Sequence, residues 1–334
     1  MAPQAEPGPD PRLRVTPNLF SIPFGLVGLA GAWSAAQTLG TPAAVPDAID
    51  ILAAAVWVAL AVGYAARGPG SILPDLRDPV LTPFVPVAAI VGMLLGSALS
   101  AYSFGAGRVL VVVFLVITIL IGAWLTGQWI VGDLDQDKLH PGYFLPTVAG
   151  GLVCALSAAQ VHLRAVGEAS FGIGILCWLM LGSILLNRLF LRPTLPPALL
   201  PTLAIELAPP AVAGLAYFAL GGRAGSPVAE ILGGYAVLMA LVQFRFLPSY
   251  ARLSFTPGVW AFAFSYAAAV SFGLEWIDQE NPAGATIYAG VAIAAITLLI
   301  GAIAVRTVIS LVRGELLPGP HLRRTDRDVP GDGC

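Results

Sequence analysis

Residues 106–128 read AGRVLVVVFLVITILIGAWLTGQ, and Arg108 is the only charged residue among them. A run of this length is a membrane-spanning helix, because roughly 20 apolar residues rising 1.5 Å each cross the ~30 Å hydrocarbon layer. Nine further stretches of the same kind flank it. Together they predict ten spans near 18–38, 47–67, 80–102, 106–128, 141–162, 168–190, 200–221, 227–247, 257–276 and 284–312. The connections hold the charges and many turn residues, as in Arg67-Gly-Pro-Gly70 and Gly221-Gly-Arg223.

The composition agrees with that reading. Of 334 residues, 57% are hydrophobic and 11% charged, where soluble domains carry roughly 25% charged residues. A mean hydropathy of +0.83 over the whole chain calls for an apolar solvent. The expected fold is an all-α integral membrane protein, with a tail at 1–17, a ten-helix domain at 18–314 and a disordered tail at 315–334. Met1–Pro17 lacks the apolar core of a signal peptide, so the first apolar stretch is expected to stay as a helix. The net charge of −2 gives no basis for a nucleic-acid partner. Cys154, Cys177 and Cys334 show neither metal spacing nor a disulfide framework.

Orientation follows from the basic residues. With a cytoplasmic N-terminus, Arg12, Arg14, Arg67, Arg77, Lys138, Arg188, Arg192, Arg245, Arg252, Arg306, Arg313, Arg323, Arg324 and Arg327 fall inside. Only Arg108, Arg164 and Arg223 fall outside. Such a split predicts an even number of spans and both termini in the cytoplasm.

Prolines carry the next signal. Pro23, Pro86, Pro146 and Pro209 lie within the first, third, fifth and seventh spans at spacings of 63, 60 and 63 residues. A helical hairpin repeated at that period makes five hairpins. Proline bends a helix and frees a backbone carbonyl, which lipid tolerates poorly. The odd helices are therefore expected to form an inner ring and the even helices an outer one. The kinks would bend the wall of any passage that the inner ring encloses. The ninth span departs from the series, placing Phe264 at the level of the other spans' prolines.

Polar candidates are few. Ser21, Ser97, Thr147 and Ser265 could offer hydroxyls to a pore, or could bond their own helix backbone. Glu206 lies within the seventh span; it could face a neighbouring helix, be protonated or carry a coupled proton. Arg188, Arg192, Arg245 and Arg252 stand at cytoplasmic helix ends, suited to topology and headgroup contact or to gathering anions at a mouth. Glu275, Asp278 and Glu280 read as a solvated outer loop. Asp133, Asp135 and Asp137 start like a calcium loop, but Lys138 and Phe144 stand where Gly and Glu are needed. His140 and His162 mark opposite ends of the fifth span. No cluster of catalytic acids, histidines or metal ligands appears, so neither an enzyme nor a cofactor is expected.

These features resemble the family of plant slow anion channels and bacterial tellurite-resistance permeases, whose superfamily includes fungal dicarboxylate transporters. The residues that carry the resemblance are Ile22-Pro-Phe-Gly25, His140-Pro-Gly-Tyr-Phe-Leu-Pro146, Leu207-Ala-Pro-Pro210 and Trp260-Ala-Phe-Ala-Phe264. It covers about residues 17–314. It implies five hairpins around a pseudo-five-fold axis, a pore lined by the odd helices in each protomer, a phenylalanine on the ninth helix that occludes it, and a homotrimer. The matching gate is Phe264. Phe262, two residues away, would point roughly 200° around the helix, so the two cannot both face the pore. The function implied is a gated channel for small monovalent anions such as chloride or nitrate, in a cell inner membrane. The alternative is a secondary transporter of dicarboxylates or of oxyanions such as sulfite or tellurite, with or without proton coupling.

Overall fold

Proline and glycine fix where the chain changes course. The computed structural model describes residues 15–132 and 134–315. The basic residues of both tails beyond them, Cys334 and Asp133 lie outside the described residues.

Among the described residues, ten helices are long and apolar enough to cross a membrane. They are span 1 (Pro17–Ala35), span 2 (Ala44–Ala65), span 3 (Thr82–Ser100), span 4 (Phe104–Val131), span 5 (Pro141–Gln160), span 6 (Arg164–Leu191), span 7 (Leu200–Ala219), span 8 (Pro227–Tyr250), span 9 (Pro257–Glu280) and span 10 (Ala285–Val312). The protein is a multi-pass, all-helical membrane protein.

Spans 4, 6 and 8 run longer than hydropathy predicts. Span 6 starts at Arg164, whose guanidinium bonds Glu168 one turn on at 2.8 Å. Hydropathy registers the hydrocarbon layer, whereas a helix continues into the polar interface for as long as its charges stay hydrated. Span 8 runs through Pro248 to Tyr250, past the expected end at 247. Its start is capped: Ser226 Oγ accepts from the Ala229 N–H at 3.3 Å, with Pro227 in the first turn.

Even spans 2, 4, 6, 8 and 10 are each one unbroken α-helix. Every odd span is composite. Each opens with a tight 3-10 turn carrying a proline in its first two positions: Pro17, Pro83, Pro141, Pro201 and Pro257. The expected kink prolines mark the change to α-helix. Pro23 and Pro209 sit in the first turn of the α segment, Pro86 is its N-cap, and Pro146 lies in a wide π turn just before it. Proline costs least there, because a first-turn N–H has no carbonyl four residues back in the α-helix to donate to. The expectation of mid-helix kinks is thereby corrected to a change of helix type inside each odd span.

Burial separates the two sets. Between 56 and 78% of each odd span is buried, against 6 to 28% of each even one. Spans 1, 3, 5, 7 and 9 pack each on the next, and span 9 closes on span 1. Each odd span also packs on the even span that follows it. At the closure a Cβ on Gly25 would lie 2.5 Å from the Ala263 Cβ and 2.6 Å from the Trp260 ring. Only glycine permits that approach. Trp260 Nε1 in turn donates to Thr307 Oγ1 at 2.9 Å, tying span 9 to span 10.

Candidate permeation pathway

Where the odd spans turn α-helical, all five line one cavity. Span 1 contributes Ser21 and Phe24, and span 3 contributes Phe84. Span 5 adds Phe144, Leu145, Val148, Ala149 and Leu152; span 7 adds Ile205, Ala208, Pro209 and Val212. Span 9 adds Trp260, Ala261, Phe264 and Ser265. No charged side chain is among these walls. The free space is about 30 Å³, room for about two water molecules.

Phe264 lines this cavity, its ring stacked on Phe24 with centroids 3.6 Å apart and planes 13° from parallel. Both rings are buried. Phe262 points elsewhere: it packs edge-on against Tyr250 of span 8, centroids 4.7 Å apart, and lines no part of the cavity. The helical twist thus separates the two phenylalanines, and Phe262 is corrected from a lining candidate to a packing residue.

The hydroxyls divide in the same way. Ser21 and Ser265 line the cavity, and neither bonds another group among the described residues. Thr147 does not line it; its methyl group faces Gly122 of span 4. Ser97 lies farther along, in a second space. Of the four prolines, only Pro209 lines the cavity.

That second space is a vestibule of about 410 Å³ between the C-terminal halves of the odd spans. Its walls include Gly31, Ser34, Ser97, Gln160, Ser271 and Gln279, and two acids, Asp50 and Glu275. Glu275 was expected in a solvated loop. Glu275 instead stands on the helix of span 9, which runs to Glu280, and lines the vestibule.

Glu206 belongs to neither space. Residues 200–207 are 3-10 helix with about three residues per turn, so Leu200, Leu203 and Glu206 stack on one face. All three line an outer cavity of about 700 Å³ bounded by spans 6, 7 and 8. Ile205, Ala208 and Pro209 turn toward the central cavity instead. Gln243 in the outer wall accepts from Tyr250 Oη at 2.9 Å and from Tyr266 Oη at 3.1 Å, linking that wall to span 9.

Arg188 also departs from expectation. It is buried, 2% exposed, and donates to the carbonyls of Pro193 at 2.8 Å and Asp137 at 3.0 Å. It clamps two loops in place of meeting headgroups. His140 is buried too, and its Nδ1 accepts from the Gly142 N–H at 3.2 Å, capping the start of span 5.

The odd spans start at prolines and pack in closed order, and all five contribute walls to the cavity that Phe264 lines. Residues 14–308 match the family profile of SLAC1, described as a voltage-dependent anion channel. The chain belongs to the SLAC1 family. Among its relatives is the Tellurite resistance protein TehA homolog of Haemophilus influenzae, 28% identical over 302 residues that cover 89% of this chain and 90% of the relative. The chain is thus an anion channel or transporter of the SLAC1/TehA type, a class distinct from enzymes.

Within this SLAC1 member, sequence reasoning missed Phe24 as the partner of Phe264. Its position directly after Pro23, in the quoted Ile22–Gly25 motif, was the available signal. The vestibule acids were missed because they stand on different spans.

Proposed function

We propose that this chain conducts small monovalent anions such as chloride and nitrate along the axis of its five odd spans, and that Phe264 is the gate. The observation that carries the proposal is the Phe264–Phe24 stack inside a cavity walled by every odd span. Unstacking the rings forgoes ~0.5–1.5 kcal/mol of aromatic pairing. Exposing one ring costs a further ~1.5–3 kcal/mol. A sum of ~3 kcal/mol holds the closed form about a hundredfold over the open one, small enough for a ligand or voltage to overcome.

Selection follows from the walls. They carry no fixed charge and two free hydroxyls, Ser21 and Ser265, so an ion is partly dehydrated and weakly compensated as it passes. Large, weakly hydrated anions then pass more readily than small, tightly hydrated ones. The five repeated hairpins and their closed ring support a pseudo-five-fold pore within each protomer. The resemblance supports a homotrimer, and the basic residues support an inner-membrane protein with both termini in the cytoplasm.

A second reading, a secondary transporter of oxyanions or dicarboxylates, draws on the name of the Haemophilus relative. Planar-bilayer recording with a panel of anions separates the two. Ohmic currents that rise on Phe264→Ala support the channel. Substrate-coupled proton flux without such currents overturns it in favour of the transporter.

A further inference from the structure

The outer cavity between spans 6, 7 and 8 has a composition that anion passage does not explain. Its walls are mostly apolar, including Leu189, Leu195, Met239 and Phe246, yet they contain Arg188 and Glu206. Each of these two has a polar atom that is buried and unbonded: Nε of Arg188 and Oε1 of Glu206. The side chains are 2% and 6% exposed. Arg188 makes no ion pair among the described residues: it takes the Asp137 carbonyl, while the Asp137 carboxylate lies 3.7 Å from Arg192. A buried cation without a counter-ion and a buried acid without a donor are both costly, and natural proteins rarely keep either without a use.

About 700 Å³ is within the ordinary range of small-molecule sites, ~300–1,000 Å³. Phe190, one of its walls, is an exposed apolar side chain on span 6, so the cavity reaches the apolar outer surface that faces acyl chains. A ligand from that direction needs an apolar body. It also needs a head that accepts from a guanidinium and can share a proton with a carboxyl group. We infer that this cavity binds a long-chain carboxylic acid from the membrane, with its head between Arg188 and Glu206 and its chain along the apolar wall of span 8. The acid supplies the counter-ion that Arg188 lacks and an acceptor for its open Nε–H. The site lies outside the ring of odd spans, so its test is independent of the pore reading.

The test is saturation binding of radiolabelled hexadecanoic acid to the purified full-length chain, with its methyl ester and acetate as competitors. One saturable site per chain is expected, with little competition from either competitor. Arg188→Gln and Glu206→Ala should each weaken binding about tenfold, the loss expected for a charge-assisted contact. Arg188→Gln also removes the loop clamp, so Val242→Trp, which fills the cavity from span 8, serves as the second variant and should abolish binding. Equal competition by the methyl ester means a merely greasy groove and overturns the assignment. Equal competition by acetate means an anion on Arg188 alone and also overturns it. So does wild-type affinity in a folded Val242→Trp protein, or a second copy of the chain found seated on this face.

Discussion

The central cavity and the vestibule share the five odd helices, with span 2 adding Asp50 to the vestibule, and they differ in almost every physical respect. The first encloses about 30 Å³, is lined by aromatic and aliphatic groups and holds no charge. The second encloses about 410 Å³ and presents Asp50 and Glu275. The division falls at the change of helix type. The proline-started turns bring bulky side chains inward at the N-terminal end, while the regular α segments beyond them leave room. All five odd helices run in one direction, so their dipoles add, with the positive end at the sealed side and the negative end at the vestibule. Two carboxylates at that negative end oppose the entry of anions from the vestibule. In the proposed pore the barrier would therefore be steric at one end and electrostatic at the other, so different substitutions should relieve each.

The largest expected effect is on the steric barrier. Phe264→Ala should raise anion conductance about a hundredfold, the inverse of the ~3 kcal/mol that holds the ring in place. Oocyte or liposome currents measure it, and unchanged conductance in well-expressed protein would remove Phe264 as the gate. Phe24→Ala leaves Phe264 in the cavity without its stacking partner. A rise of about tenfold or less is expected, and in the double variant the two effects should not add, because each ring acts through the other. Strict additivity would show that the stack has no part in closure.

The electrostatic end should respond more weakly. At a distance of ~10 Å in water-like dielectric, one charge contributes ~0.4 kcal/mol, about twofold in local anion concentration. Asp50→Asn with Glu275→Gln should therefore raise anion entry from the vestibule side about fourfold at pH 8 and low salt, and much less at 1 M salt, where the Debye length is ~3 Å. A salt-independent gain would place the effect in packing rather than in the field. The smallest effect is expected for Glu206→Gln, since that side chain lines neither space. Conductance should stay within about twofold of wild type; a loss of pH-dependent uptake in this variant would instead restore proton coupling through Glu206.

The sequence alone determined the number of spans, because a membrane rewards apolar length directly and a chain cannot hide the signal. It also determined the division into an inner and an outer set, because proline has a local cost that only a buried helix bears easily. The 3-10 starts were not read from the sequence, although Pro17, Pro83, Pro141, Pro201 and Pro257 recur at spacings of 66, 58, 60 and 56 residues and span 9 belongs to that series. The reason is that a proline at a helix start looks the same whether the next turn is tight or regular. Only the tertiary structure decided which way the side chains face. Glu206 points outward because its segment has three residues per turn, whereas a periodicity read at 3.6 would have rotated it. The pairing of Phe24 with Phe264 depends on span 9 closing against span 1, a contact between residues 240 positions apart. No local pattern encodes such a contact; packing around the whole ring does.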